Sequence, residues 1–532
     1  MRYIAVIALI VCHVAGEIVD TGLGSVRGFE RESRAGETYH GFLGVPYAKP
    51  PVGKLRFDAP VPPKRWSGVL DATRQPPHCL QNPIYLRAYR NETTGSEDCL
   101  YLNIFTPKLK GKLPVMFFIH GGSFRTGYAG PSEMADYLVD EKVVLVAPQY
   151  RLGILGFLST EDKVIPGNFG LKDQAFALKW VVNNIHYFGG DPKKITVFGY
   201  GAGGVSANLM MVSPLTNRLI KGAISESGVD NHIWGTDSKK GRAKRMAEKT
   251  GRVVGCRKTA SKDLLKCLRN ADGKELVQSE LQNIYWDYET SAMFRPVIEG
   301  KSKTAFLTAD PAKSSTKKPW VVGVTTGEGN FKIASLVTQS RSVTEEFEEH
   351  IDDYIAKILG EEDVTDKTLK SVKKIKRKYF KNTSTVDRLL SSIKNFYGDV
   401  KYYWPLQEAV KRHGGKVYQY VYDYRAGQSM SDIFGVDSDL GVNHADETFI
   451  LFNCTSSGHS SPRAGDKKVS KDVVKMWANF AKTQVPRKEK PKWMPLEADE
   501  YLRITEKPRM AKGYRKGVRE FWSSLPLYKG DD

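Results

Sequence analysis

The chain has 532 residues, of which 41% are hydrophobic and 11% aromatic, and 80 Lys and Arg against 60 Asp and Glu leave a formal charge of +20. That apolar content supports a large core and excludes disorder on the scale of a domain. Length alone allows roughly two to four domains, but no linker, low-complexity tract or internal repeat interrupts the chain, so one large domain with insertions is expected.

In chain order, residues 1–16, "MRYIAVIALIVCHVAG", carry one Arg, an apolar run and small residues, the pattern of a secretory signal peptide. The run is too short to cross a bilayer as a helix, and no later run reaches ~18 apolar residues, so no membrane anchor is expected. "EIVDTGLGSVRGFE" alternates like a hairpin with Gly at its turn. The Pro- and Gly-rich "GVPYAKPPVGKLRF" must be an ordered loop or a linker. The runs 113–119 and 142–148 are continuously apolar, as strands buried on both faces are, and 194–199 and 221–225 are shorter candidates of that type. Between them, Phe176, Trp180, Val181, Asn184 and Ile185 have helical spacing. Strands alternating with such helices predict an α/β sheet with right-handed connections. Phe347, Ile351, Tyr354, Ile355 and Ile358 then form one apolar stripe, which predicts a single helix with Glu345, Glu346, Glu348, Glu349, Asp352 and Asp353 on its other face.

Once Cys12 leaves with the leader, five cysteines remain. Cys79–Cys99 and Cys256–Cys267 are close pairs that would each clip a short loop in an oxidising compartment, and Cys454 is left as a buried thiol or an intermolecular link. No closely spaced Cys/His set exists, so no metal site is expected, and no cofactor is called for. Sequons at Asn91, Asn382 and Asn453 fit secretion. Basic charge concentrates in two places. Residues 367–381 hold eight Lys and Arg and no acid, and residues 461–520 hold 17 Lys and Arg against 8 Asp and Glu. Either these are solvated faces or they meet a polyanion, with part of the first run neutralised by its acidic neighbour.

"GVPYAKPPVGKLRF", "SEDCLYLNIFTP", "FFIHGGSFRTG", "YRLGILGF", "FGGDPKKITVFGYGAGG" and "GVNHADE" occur in this order along nearly the whole mature length. In these segments the chain resembles the type-B carboxylesterase/cholinesterase family of α/β-hydrolases. The resemblance implies an α/β-hydrolase fold, a large central, mostly parallel mixed sheet flanked by helices, over residues 17–532. It also implies the disulfides Cys79–Cys99 and Cys256–Cys267 and the ion pairs Arg56–Glu97 and Arg151–Asp173.

A serine esterase needs an exposed nucleophile, a base, an acid to orient the base, and donors for the oxyanion. In this fold the nucleophile sits on a tight strand-to-helix turn within Gly-x-Ser-x-Gly. Gly199-Tyr200-Gly201-Ala202-Gly203 keeps both flanking glycines but has Gly201 at the nucleophile position, and Tyr200 also departs from the acid or glutamine usual there. The resemblance assigns His444 as base, Glu328 as its orienting acid, and Gly122, Ser123 and Ala202 as the sources of oxyanion N–H groups. Ser206 lies five residues on, about 140° round the helix, and is expected to face away. The expectation is a site without acyl-enzyme chemistry. Three readings follow: a secreted protein that binds an acidic extracellular partner, a sulfated glycan or a protein; a carrier of lipophilic esters or fatty acids in an apolar gorge; or an ester hydrolase with an atypical site, its water activated by His444.

Overall fold

A computed structural model describes residues 15–528 apart from 87–88, 131–134, 291–293, 362–363, 437, 454–461 and 488. Cys454 and all of the expected leader but Ala15 and Gly16 therefore lie outside the described residues. β1 (Ala15–Asp20) and β2 (Ser25–Glu32) form the expected hairpin, with Ala15 already opposite Phe29. β3 (Thr38–Pro46) follows, then short β4 (Val69–Asp71), and β5 (Tyr101–Thr106). The four apolar runs become β6 (Leu113–Ile119), β7 (Val144–Pro148), β8 (Gly190–Tyr200) and β9 (Gly222–Glu226). β10 (Ile284–Trp286) and β11 (Glu289–Thr290) make a separate small hairpin. β12 (Trp320–Thr325), β13 (Val417–Tyr422), β14 (Glu500–Ile504) and β15 (Arg509–Lys512) complete the main sheet.

That sheet has 13 strands in the order β1-β2-β3-β5-β7-β6-β8-β9-β12-β13-β14-β15, with β4 beside β2. From β7 through β14 every neighbour is parallel, while both ends are antiparallel apart from β4, which runs parallel to β2. Val115, Phe117 and Ile119 face one hydrophobic cluster and Met116 and Phe118 the other, so both faces of the sheet are covered. This is why these strands read as unbroken apolar runs rather than alternating ones.

The helices that matter for the site are α1 (Phe169–Asn184), α2 (Ala202–Met210), α3 (Asn330–Val337), α4 (Ser342–Glu349), α5 (Ile351–Ile358), α6 (Asp366–Tyr379), α7 (Val386–Gly398) and α8 (Asp466–Thr483). The single helix expected over 345–358 is two, α4 and α5, broken at His350, whose φ of −108° and ψ of 20° leave the helical well. The stripe itself holds: Phe347, Tyr354, Ile355 and Ile358 are buried.

The Pro-rich segment is an ordered loop around a 3-10 turn at Gly53–Leu55. Arg56 at its end makes a bidentate pair with Glu97 at 2.5 and 2.7 Å, and Arg151 does the same with Asp173 at 2.7 and 2.8 Å. Both disulfides close, Cys79–Cys99 across 20 residues and Cys256–Cys267 across 11.

Candidate active site

β8 delivers the chain into a tight turn at Gly201, and α2 leaves from Ala202. Gly201 has φ +52° and ψ −119°, a region that suits glycine and strains any side chain. Its N–H donates to the Glu226 carbonyl at 2.8 Å and its carbonyl accepts from Val205 N–H at 3.0 Å, so the elbow is held from both sides. The flanking glycines are required sterically: a Cβ on Gly199 or Gly203 would sit 2.1 or 1.9 Å from the Ile119 carbonyl oxygen. A Cβ on Gly201 itself meets only His444, 3.3 Å from Nε2 and 3.8 Å from Cε1. The elbow therefore has an esterase's shape with no nucleophilic atom at its tip.

The other predicted members assemble around that tip. Glu328, three residues beyond β12, is buried and its Oε2 accepts from His444 Nδ1 at 2.7 Å. Its Oε1 accepts from the Ser227 hydroxyl at 2.5 Å and from Thr325 N–H at 2.8 Å. These three contacts fix the carboxylate, which in turn holds the His444 ring with Nε2 toward the elbow. Gly122 (φ +104°) and Ser123 (φ +52°) follow β6 on a turn whose Gly122 carbonyl takes Arg125 and Thr126 N–H. Among the described residues no acceptor of the chain engages the N–H of Gly122, Ser123 or Ala202, and the last opens α2, where the helix dipole favours negative charge. Ser206 lies inside α2, fully buried with its hydroxyl unpaired, and is not within 4 Å of the missing Cβ.

The cavity beside this constellation departs from the apolar gorge expected. It measures about 50 Å³ and is lined by Tyr85, Trp234, Tyr288, Phe331, Tyr397 and Tyr402 together with Arg125, Glu289, Lys332 and Lys401. At that size it holds a few water molecules. The Tyr402 ring stands 4.8 Å from the His444 ring and Phe331 5.8 Å from it. A π-helical turn at Asp399–Tyr403 carries Lys401 and Tyr402 into the wall. Lys332, on α3, is buried between Asp287 at 2.9 Å and Glu289 at 3.2 Å, and Lys401 donates to both Glu289 oxygens at 2.8 and 2.9 Å. Burial pushes the Glu289 carboxyl up, and the two ammonium groups overcome it and hold the group at about 2. Arg90, Ser335 and Gln339 also reach Asp287, so this buried ionic network fixes the wall in place through several partners for each carboxylate.

Behind the elbow lie residues that sequence reasoning did not single out. Glu226, next to Ser227, receives Trp477 Nε1–H at 2.6 Å, and Glu447 receives the Tyr420 hydroxyl at 2.9 Å. Each has its other oxygen unpaired. Burial pushes the Glu226 carboxyl up to about 7 and Glu447 well above its usual range, the latter also through repulsion from Glu226 and Glu328. Glu447 stood in view three residues beyond His444. Lys332, Lys401 and Glu289 carried no local signal, since each looks like a surface residue until the fold buries it. Of the three sequons, Asn91 and Asn382 are exposed, whereas the half-buried Asn453 amide donates to Asp136 at 3.1 Å. Neither a cluster of potential metal ligands nor a helix able to cross a membrane occurs among the described residues.

The model of the carboxylesterase family matches residues 15–522. Similar proteins include venom carboxylesterase-6 of Apis mellifera, 34% identical over 96% of this chain and 94% of that protein. Juvenile hormone esterase of Tribolium castaneum is 34% identical over 87% of this chain and 83% of its own. Carboxylesterase 1E of Rattus norvegicus is 33% identical over 92% and 91%. With the sheet order, the elbow and the His444–Glu328 pair in agreement, the chain belongs to the carboxylesterase family.

Proposed function

We propose that this chain is a secreted, non-hydrolytic member of the carboxylesterase family that works by binding an acidic extracellular partner. The carrying observation is Gly201: with no atom beyond Cα at the elbow, no covalent ester can form there. The charged groups Arg125, Glu289, Lys332 and Lys401 in the wall beside the site also argue against an acyl chain as its cargo. Two disulfides and the leader-like first residues favour an extracellular setting. A second reading draws on the intact His444–Glu328 pair and the free N–H groups, which would let His444 activate water directly. Oxyanion donors and binding alone leave on the order of 10³–10⁴ of rate over water when a triad member is lost.

The test is covalent labelling. The secreted protein is incubated with a fluorophosphonate and its intact mass recorded beside an active carboxylesterase. No mass shift is expected. A stoichiometric adduct, mapped to any residue of the site, would overturn the non-hydrolytic reading.

A further inference from the structure

The strongly basic balance of the chain is distributed unevenly once ion pairs are drawn. In the C-terminal region part of it is taken up: Arg463 meets Asp439 at 2.8 Å, Lys482 meets Glu141 at 3.1 Å, and Arg519 meets Glu408 at 2.6 Å. α6 is different. Its apolar and small side, Thr368, Ser371, Val372 and Ile375, is buried against the core, and Tyr379 and Phe380 turn inward with it. Lys376 is drawn off to Asp352 of α5 at 2.8 Å, and Lys378 lies over the Phe521 ring at 4.6 Å.

That leaves Lys370, Lys373, Lys374 and Arg377, at i, i+3, i+4 and i+7, all exposed. At 3.6 residues per turn they fall within about 100° of one another and span roughly 10 Å. Lys381, just past the helix end, is exposed too. None of the five is in an ion pair among the described residues; the Lys374 ammonium has only the Ser524 carbonyl, at 3.5 Å. Of the acidic residues on α4 and α5, which the linear sequence sets beside this run, Asp352 takes Lys376.

On the reading that the chain acts by extracellular binding, we infer that the exposed face of α6 is the docking surface for a sulfated polysaccharide. Four unpaired cations on a rigid, packed helix form a preorganised row that a chain of fixed anions can follow. Lysines predominate, and as compact point charges they suit single sulfate groups along a flexible chain, without the bidentate geometry that favours arginine. Tyr379, the aromatic residue of α6, packs inward on Trp522, so the helix offers no ring on this face for a nucleic-acid base to stack on. The apolar side of the helix is committed to the core, so it has no free apolar face to lower into a bilayer.

The experiment uses the secreted protein on immobilised heparin. Three forms are compared: the parent, Lys370→Gln/Lys373→Gln/Arg377→Gln, and the equally charge-reduced Lys467→Gln/Lys471→Gln/Lys492→Gln. All six positions are exposed, and thermal unfolding verifies that each form is folded. The parent should be retained with affinity falling steeply in salt. By the counterion-release rule, losing three contacts lowers the slope of log affinity against log salt by about two. The α6 variant should show that loss and the α8-side control should not. Equal weakening by both variants overturns the assignment to α6 and leaves binding to an acidic partner standing. Elution of the parent at low salt overturns both. Binding to phosphatidylserine-containing vesicles without retention on heparin overturns the polysaccharide as occupant.

Discussion

Restoring serine at the elbow isolates the missing atom from everything else. In Gly201→Ser the new Cβ lies 3.3 Å from His444 Nε2, so the hydroxyl, one bond further out, reaches the imidazole once the ring gives by a few tenths of an ångström. Two opposing magnitudes follow. A serine at φ +52° costs on the order of 1–3 kcal/mol of backbone strain. With an unfolding entropy of about 2.1 cal/mol/K per residue over a chain of this length, that strain lowers Tm by roughly 1–3 °C. Against it, a triad serine contributes about 10⁶ in turnover in a serine protease where it has been removed. The assay is hydrolysis of p-nitrophenyl acetate by parent and variant side by side, with Tm recorded for each. The parent should be near the uncatalysed rate, and the variant should turn over with a burst. Turnover by the parent comparable to the variant would refute the claim that nothing replaces the serine. A folded, silent variant would show that the oxyanion donors or the wall, and not the nucleophile alone, have been lost.

Three further outcomes test the surroundings of the site. Glu226 has a folded pKa of about 7 against 4.5 unperturbed, so the native state binds the extra proton between those values. Stability attached to it is full below pH ~4.5 and is lost as pH rises through 7, on the order of 3 kcal/mol. Melting should therefore fall from pH 5 to pH 8, and Glu226→Gln should flatten that fall; an unchanged slope counts against the buried carboxylate pair. Lys332→Ala leaves Asp287 and Glu289 short of a partner in the wall and should destabilise by about 3–5 kcal/mol in urea unfolding; a loss under 1 kcal/mol would mean that water screens the network. Cys256→Ser/Cys267→Ser opens an 11-residue span and should cost about 3 kcal/mol, whereas an unchanged midpoint would mean that packing alone holds that loop.

Much of this was legible from local pattern. The buried strands announce themselves because both faces of a parallel sheet are covered, which forces unbroken apolar runs such as Leu113–Ile119. The elbow is visible because Gly199 and Gly203 are each pressed against the Ile119 carbonyl, so the steric demand is written as residue type at fixed spacing. His444 and Glu328, far apart in sequence, were found through resemblance, and the 2.7 Å contact between them is a property of the folded chain. The two closely spaced disulfides were legible because a short loop brings its own ends together.

What could not be read is whatever depends on long-range burial. Lys332 and Lys401 are indistinguishable from surface lysines until the β10–β11 hairpin sets Asp287 and Glu289 against them. The same holds for charge. The 17 Lys and Arg of residues 461–520 make that the larger basic region in a count, yet Arg463, Lys482 and Arg519 pair with Asp439, Glu141 and Glu408 from elsewhere, whereas Lys370, Lys373, Lys374 and Arg377 of the shorter run share one face of α6 with no ion pair among the described residues. A linear sequence records how many charges a segment carries, and which of them remain free depends on what the fold brings within a few ångströms.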